Sequence, residues 1–231
     1  MRDFFLSTRL SKRLGSTANE IIAQLKTLEL MVKEISLIDP IFANWYVNNA
    51  DEDTTEAPLD YPFPSETAHK YLFNLRDSDH FESFGLWNGL EESSLFTSLR
   101  YDSFGFMMIF KKVLNTDQVI QLFQVILKYV HYDYVYLNTY FFGDINVFPH
   151  RLETTTICYV PIKKIAEDYL PHLYKKVEVE NQYNKGTILV FNEKWADETD
   201  ELKKIVQENS IALVELGVIP ETELPDGFFN E

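Results

Sequence analysis

The sequence predicts one α+β domain over residues 1–231, with a mainly antiparallel sheet and segregated helices. Hydrophobic residues make up 45% of the chain and aromatic residues 15%, which is enough material for a packed core without a disulfide or a metal. Strand-like segments also follow one another in the middle of the chain, apart from the helical segments. That order is typical of α+β proteins and not of a doubly wound parallel sheet.

Helical periodicity and capping residues predict the helices. Thr17 and Glu20 fit a capping box before a run of apolar residues at helical spacing, which Pro40 ends. Ser65 and either Asn115 or Thr116 can cap later helices, and Gly217 is a natural residue to follow the last one. The predicted helices lie at about 18–38, 65–75, 115–130, 162–169 and 197–216.

Alternating, aromatic-rich segments predict the strands, and Asn-Gly or Asn-Lys-Gly sequences mark turns beside some of them. The first three strands should form an antiparallel meander. Residues 41–47 fit either a strand or a short helix. The predicted strands lie at about 80–88, 94–101, 104–113, 132–142, 155–161, 173–181 and 187–191.

The charge is confined to two acidic blocks. The net charge is −15, of which residues 39–103 carry −10 and residues 195–231 carry −8, while the rest of the chain is slightly basic. This charge excludes direct binding to nucleic acid or anionic lipid and favours a basic partner. Acidity for solubility alone is the open alternative.

The first acidic block contains a predicted loop at about 48–64, with three prolines, five acidic residues and no periodicity. Asp51, Glu52, Asp53 and Glu56 in this loop are candidate contacts for a basic partner. The second block forms the predicted acidic C-terminal helix and tail, about 197–231. Clustered charge of this kind indicates a recognition surface, although a solvated loop is also compatible with it.

Tyrosines are dense between residues 129 and 140. Because tyrosine is enriched at protein interfaces, Tyr132 and Tyr134 are also candidate partner contacts; a half-buried, tyrosine-rich sheet is the alternative. Trp87, beside the Asn-Gly turn, is expected to be largely buried and to anchor the meander.

The sequence predicts no catalytic residue, metal site or cofactor. It lacks a phosphate-binding loop, a dinucleotide glycine fingerprint, a G-x-S-x-G elbow and any His/Cys cluster with zinc spacing. A calcium site in the acidic loop would lack the central glycine and terminal glutamate of an EF-hand. A small hydrolase using His131, Asp133 and His150 remains an alternative, and Cys158 in an apolar run is expected to be a buried thiol.

The cysteine count, the N-terminal residues and the lack of long apolar segments predict the cellular compartment. A single cysteine cannot form an internal disulfide and indicates a reducing compartment. The N-terminal residues have only a short apolar triplet before basic residues, unlike a secretory signal, and no segment is apolar enough to span a membrane. We therefore expect a cytoplasmic protein.

Two strings are the most distinctive in the chain. The first runs from Ile38 to Tyr46 and includes Asp39, Pro40 and Trp45; the second runs from Ser83 to Gly89 and includes Gly85, Trp87 and Asn88. In this order, after a long N-terminal helix, they resemble the immunity protein 52 family of bacterial polymorphic-toxin systems. The family pattern is x-D-P-x-F-x-x-W-Y followed by G-x-x-x-W-N-G, and here the second string is shorter, with Gly85 two residues before Trp87.

The resemblance implies an α+β cytoplasmic protein that binds and neutralises a cognate toxin. Such toxins often carry a restriction-endonuclease-like nuclease domain and are delivered by contact-dependent or type VI secretion routes. The motif residues of the two strings are expected to be structural. A generic adaptor protein is a further alternative from a different functional class.

Overall fold

The computed structural model describes residues 2–49, 59–77, 83–90, 93–143, 151–152, 155–166 and 169–221. Within these residues, ten strands form one sheet in the order β3-β2-β4-β5-β6-β1-β7-β8-β10-β9, and every pairing between neighbours is antiparallel. The strands are β1 (Phe4–Leu10), β2 (Tyr46–Asn49), β3 (Leu59–Pro62), β4 (Ser83–Trp87), β5 (Thr97–Asp102), β6 (Gly105–Phe110), β7 (Tyr132–Thr139), β8 (Ile157–Val160), β9 (Lys175–Glu180) and β10 (Lys185–Val190). The predicted α+β class with an antiparallel sheet is confirmed.

The helices begin where the sequence offers caps. The capping boxes of α1 and α3 are both formed, by Thr17 with Glu20 and by Asn115 with Gln118. Thr199 caps α5, and Gly217 follows it with a φ of +69°, a left-handed conformation that glycine adopts without strain. The helices are α1 (Ala18–Ile35), α2 (Glu66–Asp77), α3 (Thr116–Tyr129), α4 (Tyr140–Gly143) and α5 (Asp200–Glu215), with a 3-10 helix at Pro40–Phe42.

Strand β1 lies in the middle of the sheet, between β6 and β7. The sequence interpretation missed this strand. Phe4 and Leu6 point into the main core and are fully buried, whereas Phe5 and Ser7 point to the other face and are half-buried. The N-terminal residues therefore join the two halves of the sheet.

The main core lies on one face of the sheet, beneath α1 and α3. Ile21 and Leu28 of α1 and Phe123 of α3 are fully buried there with Phe4 and Leu6. At about 25 cal/mol for each Å² of apolar surface removed from water, burying these two helix faces supplies much of the driving force that holds them on the sheet.

A smaller core lies on the opposite face, where α5 covers β7, β8 and β10. Ala212 and Leu213 of α5 pack there with Cys158 and Leu189. The register between β1 and β7 shifts between Arg9 and Leu10, which pair with Tyr134 and Tyr132. This bulge leaves Asp133 as the extra residue and turns the two tyrosines to opposite faces, so each core receives one of them.

Several predicted boundaries are corrected by the structure. Residues 59–62, placed in the acidic loop, form β3 and pair with β2. The predicted strand at 132–142 ends at Thr139 and continues as the short helix α4. Residues 162–166 are not helical, and the turn before β10 is formed by residues 181–184, so that Lys185 and Gly186 already belong to the strand. Among the described residues, no helix combines the length and apolarity needed to cross a membrane.

Candidate partner-binding surface

The side of the sheet opposite the main core is not covered evenly by the described helices. Helix α5 packs over β7, β8 and β10, but the side chains that β1, β5 and β6 direct to this side belong to neither core of the described residues. We call this surface the open face. Together with residues of β7 and α4 that continue it, its residues are Phe5, Ser7, Arg100, Met107, Ile109, Tyr136, Asn138 and Tyr140; of these, Asn138 is buried and Tyr136 also packs against the smaller core.

The strand register arranges the open face in two rows. Arg100 lies opposite Met107, which lies opposite Ser7 and then Tyr136. The second row runs from Ile109 through Phe5 to Asn138. The two rows thus mix apolar and polar side chains across a shallow surface, a composition that is common at protein interfaces.

Tyr140 is the most prominent aromatic residue of the open face. Its side chain is 73% exposed, and its ring meets the edge of Phe5 with the two centroids 4.7 Å apart. Beside it lies a hollow of about 280 Å³ lined by Phe5, Ser7, Met107, Tyr136, Asn138, Thr139 and Tyr140. This volume is at the small end for a ligand pocket, but it fits one inserted side chain of a partner.

The start of α5 packs against α4, the short helix that begins with the open-face residue Tyr140. Phe141 and Phe142 of α4 pack with Leu202 of α5, and the Lys203 ammonium lies 4.1 Å from the centre of the Phe141 ring. Two acidic residues precede this helix and two lie in its first turn, and all four are exposed: Asp197, Glu198, Asp200 and Glu201. The helix start therefore carries an acidic rim, in which the Glu198 carboxylate pairs with Arg2 at 3.3 Å.

Asp102 fixes the turn between β5 and β6, next to the open face. Its carboxylate accepts hydrogen bonds from the N–H groups of Phe104 and Gly105 at 2.8 and 3.0 Å and from Arg100 Nε at 2.8 Å. Arg100 is thereby held on the surface, and its charge is locally balanced. The open face itself is consequently close to neutral.

The two tyrosines predicted to contact a partner are core residues. Tyr132 and Tyr134 are both fully buried, and Tyr134 stacks on Tyr136 with the centroids 5.3 Å apart. A partner cannot reach either ring in the folded chain, which corrects the expectation of contacts at these positions. Tyr129, Tyr136 and Tyr140, from the same tyrosine-rich segment, do reach the surface, and the last two lie on the open face.

The other predicted contacts, Asp51, Glu52, Asp53 and Glu56, lie outside the described residues. Within the rest of the first acidic block, Asp39 and Asp102 are buried and serve internal hydrogen bonds. The described acidic rim at the start of α5 belongs to the second block, over residues 195–231.

Asp39 of the first distinctive string organises the segment after α1. Its side chain accepts from the Ile41 N–H at 3.0 Å, from Lys112 Nζ at 2.7 Å and from Gln118 Nε2 at 2.9 Å. Burial by itself raises the pKa of this carboxyl, but the hydrogen bonds from Lys112, Ile41 and Gln118 outweigh burial and leave the pKa below its ordinary value. Pro40 begins the 3-10 helix that Asp39 caps.

The second string packs directly on the first. Tyr46 pairs with Trp87 across β2 and β4, and Asn88 Nδ2 donates to the Ile41 carbonyl at 3.3 Å and to the Leu95 carbonyl at 2.7 Å. Gly89 has a φ of +80°, and a Cβ built there would lie 3.4 Å from the Tyr46 ring. Residues of the two strings are thus in contact through Ile41, Tyr46, Trp87, Asn88 and Gly89, whereas Gly85 is exposed.

The tryptophans of the two strings differ in burial. Trp45 is 3% exposed and stacks on Phe42 with the centroids 6.3 Å apart, so it is a core residue. Trp87 lies on the same side of β4 as the exposed Gly85 and is mostly buried, with its indole nitrogen out of contact with solvent. This agrees with the expectation that Trp87 is largely buried; its role as an anchor of the meander stays a prediction, and Phe84 and Leu86 of β4 fill the main core.

The candidate catalytic residues do not converge in the described part of the chain. His131 is exposed, with Nδ1 2.5 Å from the Tyr183 carbonyl, and Asp133 accepts from Ser11 Oγ at 2.5 Å. His150 lies outside the described residues. Cys158 is fully buried, and this burial raises the pKa of its thiol to about 12, which opposes formation of a nucleophilic thiolate. Among the described residues, no group of three or more His, Cys, Asp and Glu side chains could hold a metal ion.

Comparison with known proteins leaves the family open. No protein-family model matches the chain, and a search of the curated proteins finds no match.

Proposed function

We propose that this chain is a bacterial immunity protein that binds a cognate toxin in the cytoplasm and neutralises it by covering the toxin's active site. The proposal begins with the two strings that resemble the immunity protein 52 family. Residues of both strings contact each other, through the Tyr46–Trp87 pairing and the hydrogen bond from Asn88 to Ile41. If the two strings are a family pattern because they maintain a common fold, their residues should contact each other in this way.

The open face is the feature of the structure that best supports a binding function. It is broad and shallow, it presents Tyr140, Met107 and Phe5 beside polar groups, and it is built on rigid strands. Interfaces draw most of their affinity from a few such aromatic and apolar anchors surrounded by polar residues. We therefore propose that Tyr140 and Met107 are the central toxin contacts.

The acidic rim suggests the chemistry of the partner. A nuclease needs a basic surface to hold a phosphate backbone, and an acidic inhibitor is attracted by that same surface. Asp197, Glu198, Asp200 and Glu201 lie at the start of α5, which packs on Phe141 and Phe142 beside Tyr140. In the proposed complex they would meet basic residues at the rim of the toxin's active site. A toxin with a restriction-endonuclease-like nuclease domain, delivered by contact-dependent or type VI secretion, fits these requirements.

The test is co-expression of the chain with the product of the adjacent gene, followed by pull-down and a growth-protection assay. We expect a stable complex, rescue of growth and, with purified components, inhibition of the toxin's nucleic-acid cleavage. Tyr140→Arg should abolish protection, because it replaces an exposed aromatic anchor with a charge that a basic partner repels.

Leu37→Arg is the matched control, because Leu37 is 85% exposed after the end of α1, away from the open face. It should protect as well as the wild type. Equal protection by both variants would reject the open face as the contact surface. Absence of any complex with the neighbouring product would reject the immunity function, and turnover of a substrate by the purified chain alone would favour the enzyme alternative.

A further inference from the structure

A cleft lies at the end of the main core where β1 leads into α1. Its volume is about 500 Å³, which is within the range of small-molecule sites, and all of its lining residues belong to the described part of the chain. Five segments meet there: residues 10–15, residues 20–27 of α1, Tyr101 of β5, residues 129–131 and Tyr183 before β10. Because three tyrosines contribute to it, we call it the tyrosine cleft.

Hydrogen bonds between these segments hold the walls of the tyrosine cleft. Gln24 Nε2 donates to the Gly15 carbonyl at 2.7 Å and ties the loop after β1 to α1. His131 Nδ1 lies 2.5 Å from the Tyr183 carbonyl and ties the residues after α3 to the turn before β10. Side chains that are held before a ligand arrives lose less conformational freedom when it binds, which favours affinity.

Basic residues outnumber acidic ones at the rim of the tyrosine cleft, although the chain carries a net charge of −15. Lys12, Arg13 and His131 are exposed there, and Glu20 is the only acidic residue among the described residues that line the cleft. The Glu20 carboxylate already accepts from the Thr17 N–H at 3.0 Å, and its hydrogen bonds with Thr17 lower its pKa. The rim therefore offers basic groups to an anion.

Contacts within the chain orient the basic groups and set one opposing charge. The Arg13 guanidinium lies 4.3 Å from the centre of the Phe104 ring. Such a contact uses the flat face of the guanidinium, whereas its N–H donors lie in the plane and can still bind an anion. Asp133 is the opposing charge beside the rim, where it accepts from Ser11 Oγ at 2.5 Å. Removing the Asp133 charge should therefore strengthen the binding of an anion.

The inner part of the tyrosine cleft is aromatic and contains one buried amide. Tyr101 is 1% exposed, and Tyr129 and Tyr183 line the cleft nearer to the surface. Tyrosine rings can stack on any nucleobase, because every base presents a π-face. Gln24 is 6% exposed, and its Oε1 has no hydrogen-bond partner among the described residues. A ligand with N–H donors can supply one, which removes the cost of leaving a buried acceptor unpaired.

We propose that the tyrosine cleft binds a nucleoside monophosphate, with the phosphate at the basic rim and the base against the tyrosine rings. Such a ligand combines a dianion for Lys12, Arg13 and His131, a planar body for the tyrosines and N–H donors for Gln24. A long nucleic acid is disfavoured, because the net charge of −15 repels a polyanion. This proposal does not depend on the proposed toxin partner.

Isothermal titration calorimetry of the full chain with adenosine 5′-monophosphate at about 0.05 M salt tests the proposal. We expect a dissociation constant below about 1 mM, and weaker binding as the salt concentration rises to about 0.5 M. Adenosine lacks the phosphate and ribose 5-phosphate lacks the base, so each should bind at least about tenfold more weakly. Polyadenylate should bind more weakly per nucleotide than the monophosphate.

Four variants test the parts of the cleft separately. Lys12→Gln and Arg13→Gln should each weaken binding of the monophosphate about fivefold or more, because each removes a charged hydrogen bond to the phosphate. Asp133→Asn should strengthen binding, because it removes the opposing charge. Ala23→Trp places a large side chain from the exposed surface of α1 into the cleft and should prevent binding.

Lys194→Gln is the control for net charge. Lys194 is exposed and precedes Trp195, whose ring packs on Phe4 at the opposite end of β1. This variant should bind the monophosphate like the wild type, and thermal unfolding should show that all the variants remain folded. Absence of binding up to about 10 mM overturns the proposal. So does binding that Ala23→Trp leaves intact, that Lys194→Gln weakens as much as Arg13→Gln does, or that adenosine, ribose 5-phosphate or polyadenylate matches.

Discussion

Asp39 illustrates how one side chain of a distinctive string can hold several elements together. Its carboxylate side chain is only 4% exposed, and it links the 3-10 helix, Lys112 after β6 and Gln118 of α3. Burying a carboxylate is unfavourable unless it is hydrogen-bonded and paired. Here each oxygen has a charged or polar donor, so the residue is stabilising as an anion.

We predict that Asp39→Asn lowers the free energy of unfolding at pH 7 by about 1–2 kcal/mol, because a charged hydrogen bond to Lys112 becomes a neutral one. The lowered pKa of Asp39 implies a sign for the pH dependence. The stabilisation is fully present above the ordinary value of 3.8 and is lost as the pH falls through the lowered pKa of the folded state. The variant should therefore lose less stability than the wild type on acidification.

Urea unfolding at several pH values between about 2 and 7, spanning the ordinary range of carboxyl pKa values, measures both effects. Asp117→Asn is the control, since Asp117 is 75% exposed in its pair with Lys175 and should change stability by less than about 1 kcal/mol at any pH. Identical acid sensitivity in Asp39→Asn and the wild type would contradict the role assigned to Asp39.

Single residues were predictable where a local pattern defines their role. The side chains of the caps Thr17 and Asn115 accept hydrogen bonds from the backbone N–H groups three residues later in the chain, so their function is visible in the sequence. Asn184 was recognised only as part of a turn. In the fold it is fully buried, accepts from the Tyr132 N–H at 3.0 Å and donates to the Val130 carbonyl at 2.6 Å, contacts that exist only after distant segments meet.

At the scale of elements, helices were predicted better than strands. A helix carries its caps and its apolar periodicity within one segment, whereas a strand is defined by the neighbours with which it pairs. Strand β1 was missed because it contains Ser7, Thr8 and Arg9 and depends on β6 and β7 for its identity. The bulge at Asp133, which sends Tyr132 and Tyr134 to opposite faces, likewise depends on pairing with β1.

The turn between β5 and β6 requires glycine at residue 105. Gly105 has a φ of +150°, and a Cβ built there would lie 2.5 Å from Thr8 Oγ1 and 3.1 Å from the Thr8 carbonyl. Thr8 Oγ1 also donates to the Phe106 carbonyl and accepts from the Phe106 N–H, which fixes its position. A side chain at residue 105 would therefore strain the turn and push β1 away from β6.

We predict that Gly105→Ala destabilises the fold by about 1–3 kcal/mol, from backbone strain and displacement of Thr8. Gly85→Ala is a matched control on β4, because a Cβ there meets no atom within 4 Å and the φ of Gly85 is not positive. Replacement of a strand glycine at such a site should be neutral or slightly stabilising. Thermal unfolding of both variants provides the measurement, and equal stability of the two would contradict the turn argument.

At the scale of the whole molecule, net charge does not describe the electrostatic surface by itself. Asp39 and Asp102 contribute to the first acidic block but are buried and balanced by Lys112 and Arg100. The acidic rim at the start of α5 remains exposed. The sequence indicated the acidic blocks, but it could not indicate the open face, because that surface combines alternate residues of four strands whose order requires the fold.

Neutralising the acidic rim and neutralising the acidic loop should affect the rate of association with the basic partner to different extents. Asp197, Glu198, Asp200 and Glu201 are the exposed acidic residues at the start of α5. Asp51, Glu52, Asp53 and Glu56 provide a set of equal formal charge elsewhere in the sequence. Rim charges act mainly on the association rate, and salt screens them as the Debye length shortens from about 10 Å at 0.1 M to about 3 Å at 1 M. Replacing either set with Asn and Gln should leave the dissociation rate nearly unchanged.

We predict that neutralising the α5 set slows association at low salt about tenfold, a typical size for the loss of electrostatic steering, and that neutralising the loop set slows it less. Stopped-flow kinetics at about 0.05 and 0.5 M salt, on either side of physiological ionic strength, provide the measurement. At the higher salt all three proteins should associate at similar rates, because screening removes the difference. A larger effect from the loop set would move the steering surface to residues 51–56, and rates insensitive to both salt and substitution would leave recognition to Tyr140 and the apolar part of the open face.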